Sequence, residues 1–352
     1  MNQIDNKNEI TRTVYFDYLR VFATLAVMFL HISANNWRNA DVNGLAWQTF
    51  NFVDSIVRWG VPVFVMISGS LFLNRDIPLK KIYSKYILRL AVSFAVWSII
   101  YALFVDGSIL NKISAMLQGH YHMWFILMII CIYACLPFIK PIINSDKRGK
   151  YFLLLSFIFA FFIPELLMLL NDSGKDMFIK LAAIIDNDVN NMEMHMVLGY
   201  VSYFILGYYL NKIELNKKQR TVIYLLGLAG FAFTIIVDSL FALKLQTCFG
   251  KYYNNFTVNV MFEAIAVFTF FKYKDYNNKR VNDFVKVLSK YSFGAYLVHA
   301  LIIEQLDVRF GLNTLSFNPI LAELTIGIIV FLVSFVISGI LNKIPVLNKY
   351  IV

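Results

Sequence analysis

The chain has 352 residues, 59% of them hydrophobic and only 15% charged, and its mean hydropathy is +0.62. A soluble domain carries roughly 25% charged residues; this chain has more apolar side chains than one soluble core can hold, so the excess faces lipid and a purely soluble fold is excluded. The net charge of +10 reads as loop charge on a membrane protein rather than as a nucleic-acid surface, and the three cysteines, Cys131, Cys135 and Cys248, suggest neither a disulfide framework nor a metal site.

About 20 consecutive apolar residues span the hydrocarbon core as a helix. On that measure the chain predicts an all-α, polytopic membrane bundle with spans at 14–34, 47–73, 84–105, 122–143, 151–170, 195–211, 221–243, 256–272, 287–305 and 319–341. The stretch 176–186 reads as a loop or an interfacial helix. Residues 1–352 are expected to form one transmembrane domain with no appended soluble domain, no cleavable signal peptide and no visible internal repeat. Basic residues cluster after every second span. Arg75, Lys80, Lys81 and Lys85 follow the second, Lys147, Arg148 and Lys150 the fourth, Lys217, Lys218 and Arg220 the sixth, and Lys274, Lys279 and Arg280 the eighth. Positive loops stay in the cytoplasm, which places both termini there.

Ionisable residues inside a span are costly and usually face the bundle interior. The first span carries Asp17, Arg20 and His31. Arg20 and His31 are eleven residues apart, which returns them to nearly the same helix face roughly 16 Å apart along the axis; Asp17 lies one turn before Arg20 and can pair with it. A neutralised pair at the membrane edge explains Asp17 and Arg20 equally well when this span is taken alone. His122 opens the fourth span, His195 the sixth, and His299 stands near the end of the ninth. The expected orientation brings these histidines to the outer side with His31, so that they share one cavity. No His spacing supports a metal site. Asp54 and Arg58 pair four residues apart, Pro62 marks a kink, and Ser68-Gly69-Ser70 marks a close helix approach. Glu165 reads as a locally satisfied polar group, and Gly199 and Gly207 read as a packing face.

These residues, in order, resemble the acyltransferase-3 superfamily of membrane acyltransferases, in particular bacterial polysaccharide O-acetyltransferases of the enterobacterial common antigen type. Arg20, ten intervening residues and His31 are similar to the family's first-helix pattern, with Asp17 before the Arg. Pro62, Phe64, Ser68 and Gly69 resemble its second-helix elements. His122, Trp124 and Phe125, then Tyr133 and Pro137, resemble its His-x-Trp-Phe segment. Gly207 to Leu210 and Ser292 to His299 resemble two later ones. One departure stands out: where some members carry Arg-x-x-Arg at the start of the third helix, Tyr86 takes the first position and Arg89 the second.

The resemblance implies a membrane-bound O-acyltransferase moving an acyl group, acetyl from acetyl-CoA above all, onto a hydroxyl of a cell-surface glycan or lipid-linked sugar in a bacterial plasma (inner) membrane. It implies a catalytic set of His31, Arg20, Asp17, His122 and His299, and donor binding by Arg20, Lys81, Lys85 and Arg89, whose charge suits the CoA phosphates. His31 would act as general base or acyl-accepting nucleophile. No metal is expected. A multi-helix transporter or flippase explains the bundle and the polar stripe equally, but not the histidines at one depth.

Overall fold

The protein is described by a computed structural model covering residues 13–191 and 199–352. His195 and the start of the sixth expected span lie outside the described residues. The described residues form helices and no strand, the helical membrane bundle that the composition requires. Eight helical runs among them are long and apolar enough to cross a membrane: Val14–Asn36, Leu45–Phe72, Leu79–Leu103, Ile109–Ala134, Asp146–Asp172, Lys217–Leu245, Lys251–Tyr273 and Pro319–Leu341. The other two expected spans fall on Val201–Lys212, a helix of 12 residues, and on Lys279–Phe310, whose 32 residues include several charges in the first turns.

Two departures from the expected elements have local causes. The second run is two helices, Leu45–Val57 and Gly60–Phe72, interrupted at Arg58 and Trp59. Pro62 has no amide hydrogen for the Arg58 carbonyl, and its ring crowds that carbonyl, so the regular ladder stops there. The fourth run starts earlier than expected. Ser108 accepts from the Asn111 amide and caps Ile109–Gln118. Gly119, at φ +74°, then ends that helix, and the chain passes through a 3-10 turn, Tyr121–Met123, into Trp124–Ala134. A left-handed residue in this place suits glycine alone at low cost. The stretch around 176–186 is a helix, Asp176–Asn191. Two π segments, Ile82–Ile87 and Phe157–Phe162, interrupt their helices; such widened turns recur at functional sites.

The Val14–Asn36 helix is central. It packs against Leu45–Val57, Gly60–Phe72, Val258–Tyr273, Lys279–Phe310 and Pro319–Leu341. Small residues let the surrounding helices close in. The tightest approach joins Gly60–Phe72 to Val201–Lys212, where a Cβ on Gly69 would fall 1.7 Å from the Phe204 carbonyl oxygen and one on Gly207 would fall 2.1 Å from that of Met66. Ser70 donates across the same seam to the Gly207 carbonyl at 2.7 Å. The close approach expected at Ser68-Gly69-Ser70 is therefore present, and Gly207 is its other half. Gly199 is not part of it: it sits at φ +88°, and among the described residues nothing lies within 4 Å of a Cβ built there, so it serves a turn.

Candidate active site

The central helix carries the polar stripe. Near its start, Arg20 lies 3.5 Å from the Asp17 carboxylate, and Asp17, itself buried, accepts a 2.7 Å hydrogen bond from Ser289. Those two partners satisfy a carboxylate that would otherwise be expensive to bury. Thr24 returns its hydroxyl to the Arg20 carbonyl. About three turns further along the same helix, His31 meets two other imidazoles. Its ring centroid is 5.1 Å from that of His299 and 6.2 Å from that of His122, and the latter two are 5.0 Å apart. His122 and His299 are buried. The three histidines come from separate helical runs, and the glycine stop at Gly119 is what turns the chain so that His122 reaches this point.

Hydrogen bonds fix part of this cluster. His299 Nδ1 lies 2.5 Å from the Tyr296 carbonyl. A carbonyl only accepts, so Nδ1 carries the proton, and in the neutral ring Nε2 carries the lone pair. The Tyr296 hydroxyl donates to the His122 carbonyl. Among the described residues, His31 Nδ1, His122 Nε2 and His299 Nε2 are all buried without a hydrogen-bond partner. Buried polar atoms are rarely left so; three ring nitrogens in one cluster point to a ligand or substrate.

Two cavities approach the stripe from its two ends. At the His31 end a cavity of about 900 Å³ is lined by His31, Asn35, Arg38, Arg58, Tyr121 and Tyr253, among others. Arg58 is held by the buried Asp54 and stacks over Tyr253 at 4.2 Å, so the Asp54–Arg58 pair is present and also forms part of a cavity wall. At the Arg20 end a cavity of about 310 Å³ is lined by Arg20, Ser68, Tyr86, Arg89, Tyr133 and Phe293. Arg89 also lines a neighbouring cavity of about 760 Å³ with Lys85 and Lys349. The Arg89 guanidinium donates to the Val352 carbonyl, while its Nε is buried with no partner. A buried, unmatched guanidinium N–H fits an anionic ligand such as a CoA phosphate. Lys81 is exposed and belongs to neither lining.

The sequence-derived set thus divides into two places. His31, His122 and His299 come together, Asp17 and Arg20 stand at the other end of the same helix, and Lys85 and Arg89 join the Arg20 end. Glu165 is satisfied, but not locally: it accepts the Val258 amide at 2.6 Å, at the start of a helix 93 residues further along the chain. Sequence reasoning missed His120, Tyr121 and Glu304, which lie against the cluster. The available signal was a histidine two residues before His122 and a carboxylate within the same helix as His299. It also read Arg58 as a structural partner only. Among the described residues no group of three or more His, Cys, Asp or Glu side chains is arranged to hold a metal ion.

Curated relatives include probable poly-beta-1,6-N-acetyl-D-glucosamine export proteins of Staphylococcus aureus strains MSSA476, MW2 and N315, each 22% identical over 338 residues that cover 88% of this chain and 89% of the relative. No solved structure matches. Residues 13–339 match the family model described as an acyltransferase domain, and since that span contains both ends of the polar stripe and the histidine cluster, the chain belongs to the acyltransferase-3 family of membrane acyltransferases.

Proposed function

We propose that this protein is an O-acetyltransferase of a bacterial plasma membrane, with both termini cytoplasmic, that moves acetyl from acetyl-CoA to a hydroxyl of a cell-surface glycan or lipid-linked sugar. The observation that carries the reading is one helix bearing Arg20 at one cavity and His31 at another, with His122 and His299 gathered around His31. In this orientation the Arg20 end faces the cytoplasm, where acyl-CoA is made, and the 900 Å³ cavity opens to the outer side.

Arg20, Lys85 and Arg89 hold the donor's phosphates through charge-assisted hydrogen bonds. When bound, acetyl-CoA supplies an activated thioester carbonyl. His31 takes the proton of the acceptor hydroxyl as that oxygen bonds to the acyl carbon, and gives it to the sulfur as the carbon–sulfur bond breaks, so that free CoA thiol leaves. The aromatic and cationic wall of Tyr121, Tyr253 and Arg58 suits an acceptor sugar that carries hydroxyls or an anionic group. An acyltransferase domain together with relatives whose name refers to N-acetylglucosamine polymer export supports a polysaccharide acceptor.

The test is direct. Purified protein in lipid bilayers is given radiolabelled acetyl-CoA and membrane extract containing lipid-linked sugars. CoA release with label in the glycan fraction supports the proposal. The export name of the relatives favours one second reading, a glycan transporter without acyl chemistry; glycan movement across the bilayer with no CoA turnover would establish it instead.

A further inference from the structure

His120 is not among the three clustered rings, yet it touches one of them. Its Nδ1 lies 2.9 Å from His122 Nδ1, and its Nε2 lies 2.8 Å from Glu304 Oε1. The ring is stacked flat on Tyr101, centroids 4.0 Å apart and planes 13° apart. Tyr101 is itself fixed, donating to the Leu297 carbonyl at 2.8 Å and accepting from the Leu301 amide at 3.1 Å. Glu304 and His299 belong to one helix, Lys279–Phe310. Two separate segments of the chain are thus joined by a carboxylate–imidazole–imidazole chain that ends in the histidine cluster.

Proton counting along the chain gives its polarity. An ionised carboxylate only accepts, so His120 Nε2 carries a proton toward Glu304. With His120 neutral, its Nδ1 then has a lone pair, and the Nδ1–Nδ1 contact requires the proton to sit on His122. His122, neutral in turn, keeps a bare Nε2, and that atom is buried with no hydrogen-bond partner among the described residues. Two protons satisfy both contacts with both rings neutral, whereas a cationic His120 paired with Glu304 needs a third proton and reverses the polarity, placing the His122 proton on Nε2.

We propose that Glu304 and His120 are positioning residues, which hold His122 in the tautomer whose Nε2 is a hydrogen-bond acceptor for a hydroxyl of the acceptor substrate beside His31. This rests on the acyl-transfer reading. It assigns His122 the role of an acceptor of hydroxyl protons and removes it as a donor to a developing oxyanion. His299, whose Nδ1 proton is engaged by Tyr296, has the same polarity. His122 and His299 therefore both present lone pairs, which suit the hydroxyls of a polyol. An outer-shell partner that orients a metal-bound imidazole is worth roughly 10–100-fold, and a loss of the same order is expected for this metal-free pair.

The experiment uses the full chain in bilayers with ¹⁵N-labelled histidine. The His122 ring signals are identified by their loss in His122→Ala. The expected result in the wild type is a bare Nε2 and a protonated Nδ1. In Glu304→Leu the two His122 tautomers mix, and CoA release from acetyl-CoA with an N-acetylglucosamine oligosaccharide as probe falls roughly 10–100-fold. Glu304→Gln, whose carbonyl accepts the same proton, restores the single tautomer and most of the rate. A protonated His122 Nε2 in the wild type, or an unchanged tautomer in Glu304→Leu, would overturn the proposal. The expected tautomer in a protein that releases no CoA would overturn the acyl-transfer reading and support the tautomer assignment, so the two failures are told apart.

Discussion

His299 bonds backward to the carbonyl of Tyr296, one turn earlier in its own helix, and this bond sets which of its nitrogens is free. Replacing His299 with Ala removes one of the lone pairs in the cluster without disturbing the Tyr296–His122 hydrogen bond. We expect acyl transfer to fall by on the order of 100-fold, the low end of what a positioned acid–base group contributes, while the thermal midpoint changes little. Steady-state CoA release and a melting curve check both halves.

His31→Ala is expected to remove transfer by at least about 100-fold and up to 10⁴-fold. The residue is near the end of a helix held by five neighbours, so expression and membrane insertion are expected to survive. Full transfer to the acceptor by this variant would refute its catalytic role.

At the opposite end, Arg20→Ala and Arg89→Ala are expected to weaken the donor and not the acceptor. A hydrogen bond to a charged group is worth about 1.5–3 kcal/mol, which is roughly a 10- to 150-fold rise in the KM for acetyl-CoA. Initial rates against acetyl-CoA at saturating acceptor read this out. Arg20→Ala also removes the cation beside the buried Asp17, so some loss of stability accompanies it; Arg89→Ala strands no buried carboxylate but gives up the bond to the Val352 carbonyl, so a melting curve is measured beside its KM.

The seam between Gly60–Phe72 and Val201–Lys212 makes a separate prediction about folding. Each glycine there faces a backbone carbonyl that a Cβ would overlap, and backbone cannot step aside as a flexible side chain can. Gly69→Ala and Gly207→Ala are expected to destabilise by at least the ~1–3 kcal/mol of an overpacked core. Gly199→Ala has space but strained backbone, and is expected to cost less. Melting of the three variants in one detergent gives the ranking.

Most of the bundle was legible in the sequence because lipid imposes a simple rule: long apolar runs become helices. The stripe on the first helix was legible for the same reason, since Asp17, Arg20 and His31 are conspicuous in an apolar run and helical periodicity puts Arg20 and His31 on one face. The sequence did not show that the loop expected between 105 and 122 holds a helix, Ile109–Gln118, which Gly119 ends, because that stretch is short and mixes polar with apolar residues. It therefore also missed how His120 and Glu304 meet, 184 residues apart in the chain. The Gly69–Phe204 contact lay beyond it in part: small residues signal that something packs closely, but not which helix does.

A last consequence follows from the continuity of the Val14–Asn36 helix. Arg20 and His31 stand on one unbroken rod buried among five neighbours, so the interval between them, roughly 16 Å by helix geometry, works as a gauge. Under the proposed function it measures the donor: the arm between phosphate and thioester must match the interval, and a thioester on a truncated carrier would reach one mark or the other but not both.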